Sequence, residues 1–309
     1  MWQRAVAVLC AAAACGGSSA HDRPDSAASS SDARASDSGG DGGSGCDPSK
    51  PFGTPEPVPG VNSAGNEIGA ALSPDELAIY FSSDRADPTN LELYEAHRSS
   101  VAEPFGTPSL LASLDTSADE ASPSVTGDGL TIYFARATVD NPDVLYLVMA
   151  TRASTSDAFG SATRLSLPDT GTNVSPFTSP DGSLLYFLAP EGIAPTIYQT
   201  ANEGGGAFGP LFAPVVNGGH DVLGSIVVSP DGLSAIYDAR IDGGPDDNMW
   251  SAHRASVDDT FGTATDETEL DSSAGGGPNW LSPDGCAIYF TSDRAGTTGQ
   301  LDVWVARRP

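Results

Sequence analysis

The sequence predicts an all-β protein assembled from repeated four-stranded units, and three observations predict it. One nine-residue string recurs five times: SPDELAIYF from Ser73, TGDGLTIYF from Thr126, SPDGSLLYF from Ser179, SPDGLSAIY from Ser229 and SPDGCAIYF from Ser282, at spacings of 53, 53, 50 and 53 residues. A fixed period of this size marks an array of like supersecondary units. The 35 glycines and 24 prolines among 309 residues suit a turn-rich β chain. Each string also ends in a run of apolar, β-branched and aromatic residues, then leads to a second apolar run and a Phe-Gly segment, which makes four strand candidates per period. Four short strands repeated in this way match a β-propeller, whose blades are four-stranded sheets around a central channel. The inner strands are apolar without alternation because neighbouring blades cover both faces.

The elements follow in order. Ser-Pro-Asp-Gly is a turn: proline pre-sets φ, aspartate bonds its own backbone and glycine supplies positive φ. Asp75, Asp128, Asp181, Asp231 and Asp284 are therefore structural residues. Glu76 replaces the glycine in the first unit, at a cost on the order of 1 kcal/mol if the left-handed geometry is kept. The Phe-Gly segments begin at Phe52, Phe105, Phe159, Phe208 and Phe261, so one precedes the first turn. The chain stops after a third strand near Asp302–Ala306. The N-terminal segment then supplies the outer strand of the last blade and removes an exposed sheet edge. This count gives five blades, with six as the alternative.

Ahead of the ring, Arg4 is followed by an apolar run from Ala5 to Ala14 and then Cys15-Gly16-Gly17. A basic residue, a short apolar core and small residues form a secretory signal over residues 1–15. Ala12-Ala13-Ala14-Cys15 resembles a bacterial lipobox. That resemblance implies lipidation of Cys15 and, because Gly16 is not aspartate, an outer-membrane anchor facing the periplasm or cell surface. Ordinary cleavage after an alanine is the alternative. Residues 16–49 are rich in Ser, Asp, Gly and Ala and read as a disordered tether, with the propeller over residues 50–309. Of four cysteines, Cys46 and Cys286 remain outside the signal. An even pair in an exported domain predicts a disulfide, with two free buried thiols as the alternative.

Net charge is −27, from 41 acidic and 14 basic residues, and Lys50 is the only lysine. Phosphate binding needs a basic surface, so nucleic acid is not an expected partner. Neither a metal site nor a cofactor is expected: His97 and His253 fall in different blades, and the acidic loop at Asp242–Asp247 is irregular. His220 with Asp221 reads as loop polarity.

Carboxylates recur six residues before the turn, at Glu67 and Glu120, with Asn173 in that place in the third unit. Repeat-related positions fall on one ring, so these three are candidate ligand-binding residues at the channel mouth. Arg85, Arg136, Arg240 and Arg294 recur after the second strand, and their forks suit carboxylate or phosphate. A second set, Arg98, Arg152, Arg254 and Arg307, ends the third strand and reads as a solvated rim. No nucleophile elbow is present, and no catalytic residue is assigned.

The turn-and-strand string followed by Ser-Asp-Arg-Ala, at Ser83–Ala86 and Ser292–Ala295, resembles the WD-repeat-like propeller units of the TolB family. TolB proteins are periplasmic envelope proteins that contact a peptidoglycan-associated lipoprotein. The resemblance covers residues 50–309 and is specific for blade type, not for function; the reading adopted is a monomeric, non-enzymatic binding or scaffold module. An envelope protein or glycan would dock on the loops that precede the innermost strands. The alternative is a carbohydrate-active enzyme of glycosidase type, with carboxylates at the channel mouth.

Overall fold

The computed structural model describes residues 45–309 apart from 168–171, 190–194, 214, 217–219, 242–247 and 272–275. The signal, Cys15, most of the tether and the Asp242–Asp247 loop lie outside the described residues, as do the side chains of His220 and Asp221. Every regular element among the described residues is a β-strand. The chain enters through β1 (Glu56–Pro57) and builds blade I from β2 (Glu67–Leu72), β3 (Ala78–Ser83), β4 (Glu92–His97) and β5 (Ser109–Leu110). Blade II is β6 (Glu120–Val125), β7 (Thr131–Ala137), β8 (Leu145–Thr151) and β9 (Thr163–Arg164). Blade III is β10 (Val174–Thr178), β11 (Leu184–Ala189), β12 (Thr196–Gly204) and β13 (Ala207–Phe208). Blade IV is β14 (His220–Val228), β15 (Ser234–Ile241), β16 (Asn248–His253) and β17 (Thr265–Asp266). Blade V is β18 (Gly276–Leu281), β19 (Ala287–Ser292) and β20 (Asp302–Arg307), completed by β1. The result is a five-bladed propeller of antiparallel four-stranded sheets, as the repeat predicts.

β1 closes the ring by lying antiparallel to β20, with Glu56 opposite Val305 and Pro57 opposite Trp304. Beyond this pairing, the Gly53 and Val58 N–H groups donate to Arg307 and Val303 carbonyls at 2.8 and 3.0 Å. Cys46 and Cys286 form a disulfide with Cα atoms 6.2 Å apart, spanning 240 residues of sequence. Residues 45–49, expected as the end of the tether, thus sit against blade V, and the Asp47 N–H donates to the Pro309 carbonyl.

The innermost strands β2, β6, β10, β14 and β18 pack on one another around the axis. Every residue of β2 and β6 is buried, including Glu67 and Glu120 at their first positions; the rest of each strand is small or apolar. Phe81, Phe134, Phe187 and Phe290 on the second strands are 0% exposed. Each contributes about 1.5–3 kcal/mol by leaving water. The turn aspartates behave alike. In each of the five blades the aspartate Oδ1 accepts the hydroxyl of the first turn residue at 2.6 Å and a backbone N–H two residues on at 2.9–3.0 Å. These bonds hold the carboxyls of Asp75, Asp128, Asp181 and Asp231 below their ordinary range.

All five inner strands carry a register irregularity. Gly69, Ser122 and Ser175 occupy the same place in it and have φ of +62°, +53° and +50°. A Cβ at Gly69 would stand 2.5 Å from the Ser122 Cα, so the first blade needs glycine there. The bulge turns N–H groups out of their own sheet and into the next. Gly69 donates to Thr291 Oγ1 at 3.1 Å and Ser122 to Ser82 Oγ at 3.0 Å, tying adjacent blades near the axis.

Candidate functional site

On the face opposite the turns, repeat-equivalent residues do lie on one ring. The N–H groups of Glu67, Glu120 and Asn173 donate to Leu301, Leu91 and Leu145 of the preceding blade. The two carboxylates, however, are not presented at the mouth. The Glu67 and Glu120 side chains are 0% exposed. Glu67 Oε1 accepts from Ser63 Oγ, Ser83 Oγ and Arg85 Nη2 at 2.6, 2.7 and 3.1 Å, and Oε2 from the Ser63 N–H at 2.7 Å. Glu120 Oε1 accepts from Thr116 Oγ1 at 2.5 Å and Arg136 Nε at 2.9 Å. Each carboxylate therefore clasps the loop that leads into its own blade.

The arginines complete the clasp. Arg85, Arg136 and Arg294 each donate at 2.6 Å to one loop carbonyl, of Val61, Leu114 and Leu270 respectively. Gly276 stands at the carboxylate's place in blade V, and Arg294 Nε donates to Ser292 Oγ as Arg85 Nε does to Ser83 Oγ. Arg240 lies one residue before the end of β15, paired with Asp221, and is half-buried. Among the described residues no group of three or more acidic, histidine or cysteine side chains converges as a metal site.

Burial raises the Glu67 and Glu120 carboxyls, Glu120 to about 7, because desolvation outweighs the hydroxyl and arginine donors. Asp271 is raised for the same reason, reinforced by the adjacent Asp266 carboxylate. A group that holds its proton more tightly when folded favours folding fully below its unfolded pKa and loses that contribution as pH rises through the folded one. For Glu120 the window runs from about 4.5 to about 7, worth about 3 kcal/mol. The melting temperature is expected to fall between pH 5 and pH 8, and to fall less for Glu120→Gln. Thermal melts across that range check it; parallel profiles for the two proteins would contradict it.

The turn face carries a second ring that the sequence reading misses. The register makes Tyr80, Tyr133, Tyr186, Ile236 and Tyr289 equivalent, opposite Glu95, Met149, Gln199, Ser251 and Val305 on the third strands. The Tyr80, Tyr186 and Tyr289 hydroxyls cross to the next blade and accept from Arg152, Arg254 and Arg98 at 2.7, 2.8 and 3.0 Å. Tyr133 meets Asn202 at 3.4 Å. The same arginines donate Nε at 2.7 Å to the fourth residue of their own blade's turn, the carbonyls of Gly129, Gly232 and Glu76. Each also lies 4.3 Å over the Phe-Gly ring of Phe159, Phe261 or Phe105.

Arg98, Arg152 and Arg254 are therefore inter-blade staples, not the solvated rim that their strand-end position suggests. The equivalent residue in blade V is Arg308, over Phe52 at 4.0 Å, rather than Arg307. Glu76 keeps its left-handed φ of +57°. Its carboxylate accepts from Arg98, Arg307 and the Tyr289 hydroxyl, which offsets the backbone cost with charge-assisted bonds.

One seam lacks the tyrosine. Between blades IV and V the tyrosine is replaced by Ile236 and the residue beside it by Ser251, both shorter than the Tyr186–Gln199 pair that grips Arg254. A cleft of about 920 Å³ opens there, lined by both residues and by Lys50, Asp266, Glu267 and Arg308. Arg308 Nε and Asp266 Oδ1 are buried without a hydrogen-bond partner. The axial channel at the turn end, by contrast, holds only about 20 Å³, closed by side chains that include Phe177 and Trp280. The cleft signal was present in the sequence: the fourth string ends Ala-Ile-Tyr where the others have Tyr-Phe.

No protein-family model matches the sequence, and no curated protein matches it. Solved structures do. A putative TolB of Agrobacterium tumefaciens is 16% identical over 78% of this chain and 74% of its own, with a TM-score of 0.50. A family-117 glycoside hydrolase of Zobellia galactanivorans is 12% identical over 83% and 90%, with a TM-score of 0.55. An α-L-arabinofuranosidase of Podospora anserina is 12% identical over 86% and 99%, with a TM-score of 0.51. At these identities the likeness is one of fold: the chain is similar to TolB and to glycoside hydrolases as a propeller.

Proposed function

We propose that the protein is a non-enzymatic binding or scaffold module of the bacterial envelope, exported, anchored to the outer membrane through Cys15, and docking a partner on its turn face. The observation that carries this reading is the contrast between the two faces. The carboxylates of Glu67 and Glu120 are buried and clasped by their own loops, while the cleft between blades IV and V is roomy and has orphaned polar atoms on its walls. Docking moves accordingly from the loops ahead of the inner strands, which hold their own clasps, to the blade IV–V seam. The TolB likeness agrees with a binding role in the envelope. The second reading, a glycosidase, draws on the likeness to the glycoside hydrolases and on the raised Glu120 carboxyl.

Incubating the full chain with envelope polysaccharide and counting new reducing ends separates the two readings. A crosslinked pull-down from envelope extract is expected to retain a partner, with no increase in ends. Shortened glycans would replace the binding reading with the enzymatic one. For the anchor, metabolic labelling with a radioactive fatty acid is expected to mark the wild type and leave Cys15→Ser unlabelled. Equal label in both would remove Cys15 from the reading.

A further inference from the structure

We infer that the cleft between blades IV and V is a socket for a tyrosine side chain presented by a partner polypeptide, whose hydroxyl takes the place beside Arg308 that the ring's own tyrosine fills at other seams. The inference rests on the binding-module reading and names the chemistry of its site. Three seams of the same molecule show what this space is shaped to take. At each a phenol from one blade lies under the arginine of the next, with its hydroxyl accepting at 2.7–3.0 Å. At the fourth, the Tyr133 ring packs with Phe208 at 6.4 Å between centroids. Only at the fifth are the tyrosine and its neighbour both cut back, to Ile236 and Ser251.

The arginine at that seam is kept, and so is the aromatic ring beneath it. What has changed is its hydrogen bonding. Arg308 Nη1 donates to the Pro48 carbonyl and Nη2 lies 3.9 Å from Glu267, whereas Nε, bonded to the turn carbonyl in its three counterparts, has no partner. A buried N–H without an acceptor is costly, and an incoming hydroxyl oxygen would satisfy it. Asp266, which also lines this cleft, has its Oδ1 buried without a partner and offers an acceptor to a polar group of the bound segment.

The chain cannot fill the socket itself. All 8 tyrosines lie between Tyr80 and Tyr289, inside the blades, and none lies in residues 1–44. A single phenol would occupy only part of the roughly 920 Å³. The remaining length of the cleft, between the Pro48–Pro51 segment and the two turns, suits the flanking residues of a peptide segment better than a free phenol.

The probes are acetyl-Ala-Tyr-Ala-amide, its Phe counterpart and p-cresol, titrated into the full chain by calorimetry and by NMR of Ile methyl and Arg Nε–H signals. The Tyr peptide is expected to bind about tenfold or more tightly than the Phe peptide, the worth of one charge-assisted hydrogen bond, and to shift the Arg308 Nε–H and Ile236 methyl signals. Ile236→Tyr rebuilds the missing staple and is expected to raise the melting temperature while abolishing Tyr-peptide binding. Equal binding of the two peptides, p-cresol binding as tightly as the Tyr peptide, or full binding retained by a folded Ile236→Tyr would each overturn the inference. If Ile236→Tyr does not fold, the wild-type NMR map decides: unmoved Arg308 and Ile236 signals overturn it. Failure here with a partner still held in the envelope pull-down leaves the binding module standing without this socket. New reducing ends from polysaccharide would instead remove the module.

Discussion

Replacing Cys286 by serine is expected to cost about 5 kcal/mol, lowering the melting temperature by roughly 10–20 °C. The bond it removes joins residues 240 apart, so the unfolded chain regains nearly the whole freedom of a ring-sized loop. In the chain-entropy account this freedom, not any strain in the folded protein, sets the size of the effect. β1 itself adds little to this closure, pairing with β20 over two exposed residues, and the flanking Gly53 and Val58 N–H bonds carry the rest of the strand seam. The measurement is a pair of thermal melts with and without dithiothreitol. The wild type should fall to the midpoint of Cys286→Ser when reduced, and the variant should not respond. Equal midpoints before reduction would mean that the bond does not contribute.

Arg254→Met is expected to cost about 3–5 kcal/mol, since it strips the donors from several buried acceptors together. Arg254 is only 7% exposed. Its nitrogens serve Gly232 O at 2.7 Å, Gln199 Oε1 at 2.7 Å, Tyr186 Oη at 2.8 Å and Asp259 O at 3.2 Å, and its plane covers Phe261. Methionine keeps much of the side chain's volume and none of these bonds. Lysine keeps the charge, but one ammonium cannot reach acceptors spread around a planar fork, so Arg254→Lys should recover less than half of the loss. Arg307→Ala is the internal comparison: with its side chain 41% exposed, its ion pair to Glu76 is worth about 1 kcal/mol or less. Denaturant melts of the three variants decide the matter. Similar losses for Arg254→Met and Arg307→Ala would return the strand-end arginines to the solvated rim.

The two variants also mark where the sequence is legible. Period, turn chemistry and closure are local or strictly periodic. They follow from the spacing of the Ser-Pro-Asp-Gly strings and from a Phe-Gly segment left over at the N-terminus, and the structure has all of them. The role of Arg254 is neither local nor unambiguous. Its phenol partner, Tyr186, lies 68 residues earlier. The residue that would have revealed the pairing by its absence is masked, because SPDGLSAIY still contains a tyrosine, displaced by one position. That slip matters in a strand, where neighbouring residues face opposite sides. Tyr237 falls in the place of Phe81, and Ile236 in the place of Tyr80. The carboxylates fail for a related reason. Repeat position places Glu67 and Glu120 on the correct ring, but which way each side chain turns depends on a hydroxyl four residues upstream, Ser63 or Thr116, and on an arginine 18 or 16 residues downstream.

The position of the disulfide decides how the ring bears mechanical load. Cys46 precedes the closing strand, so tension on the chain ahead of it enters the disc at Cys286 in blade V and bypasses β1. Without that bond the same tension would peel β1 from β20 one hydrogen bond at a time, the direction in which a short strand pair is weakest. With it, the seam that closes the circle is shielded from whatever pulls on the N-terminal segment. Peeling of β1 from its N-terminal side then has to wait for the Cys46–Cys286 bond to break.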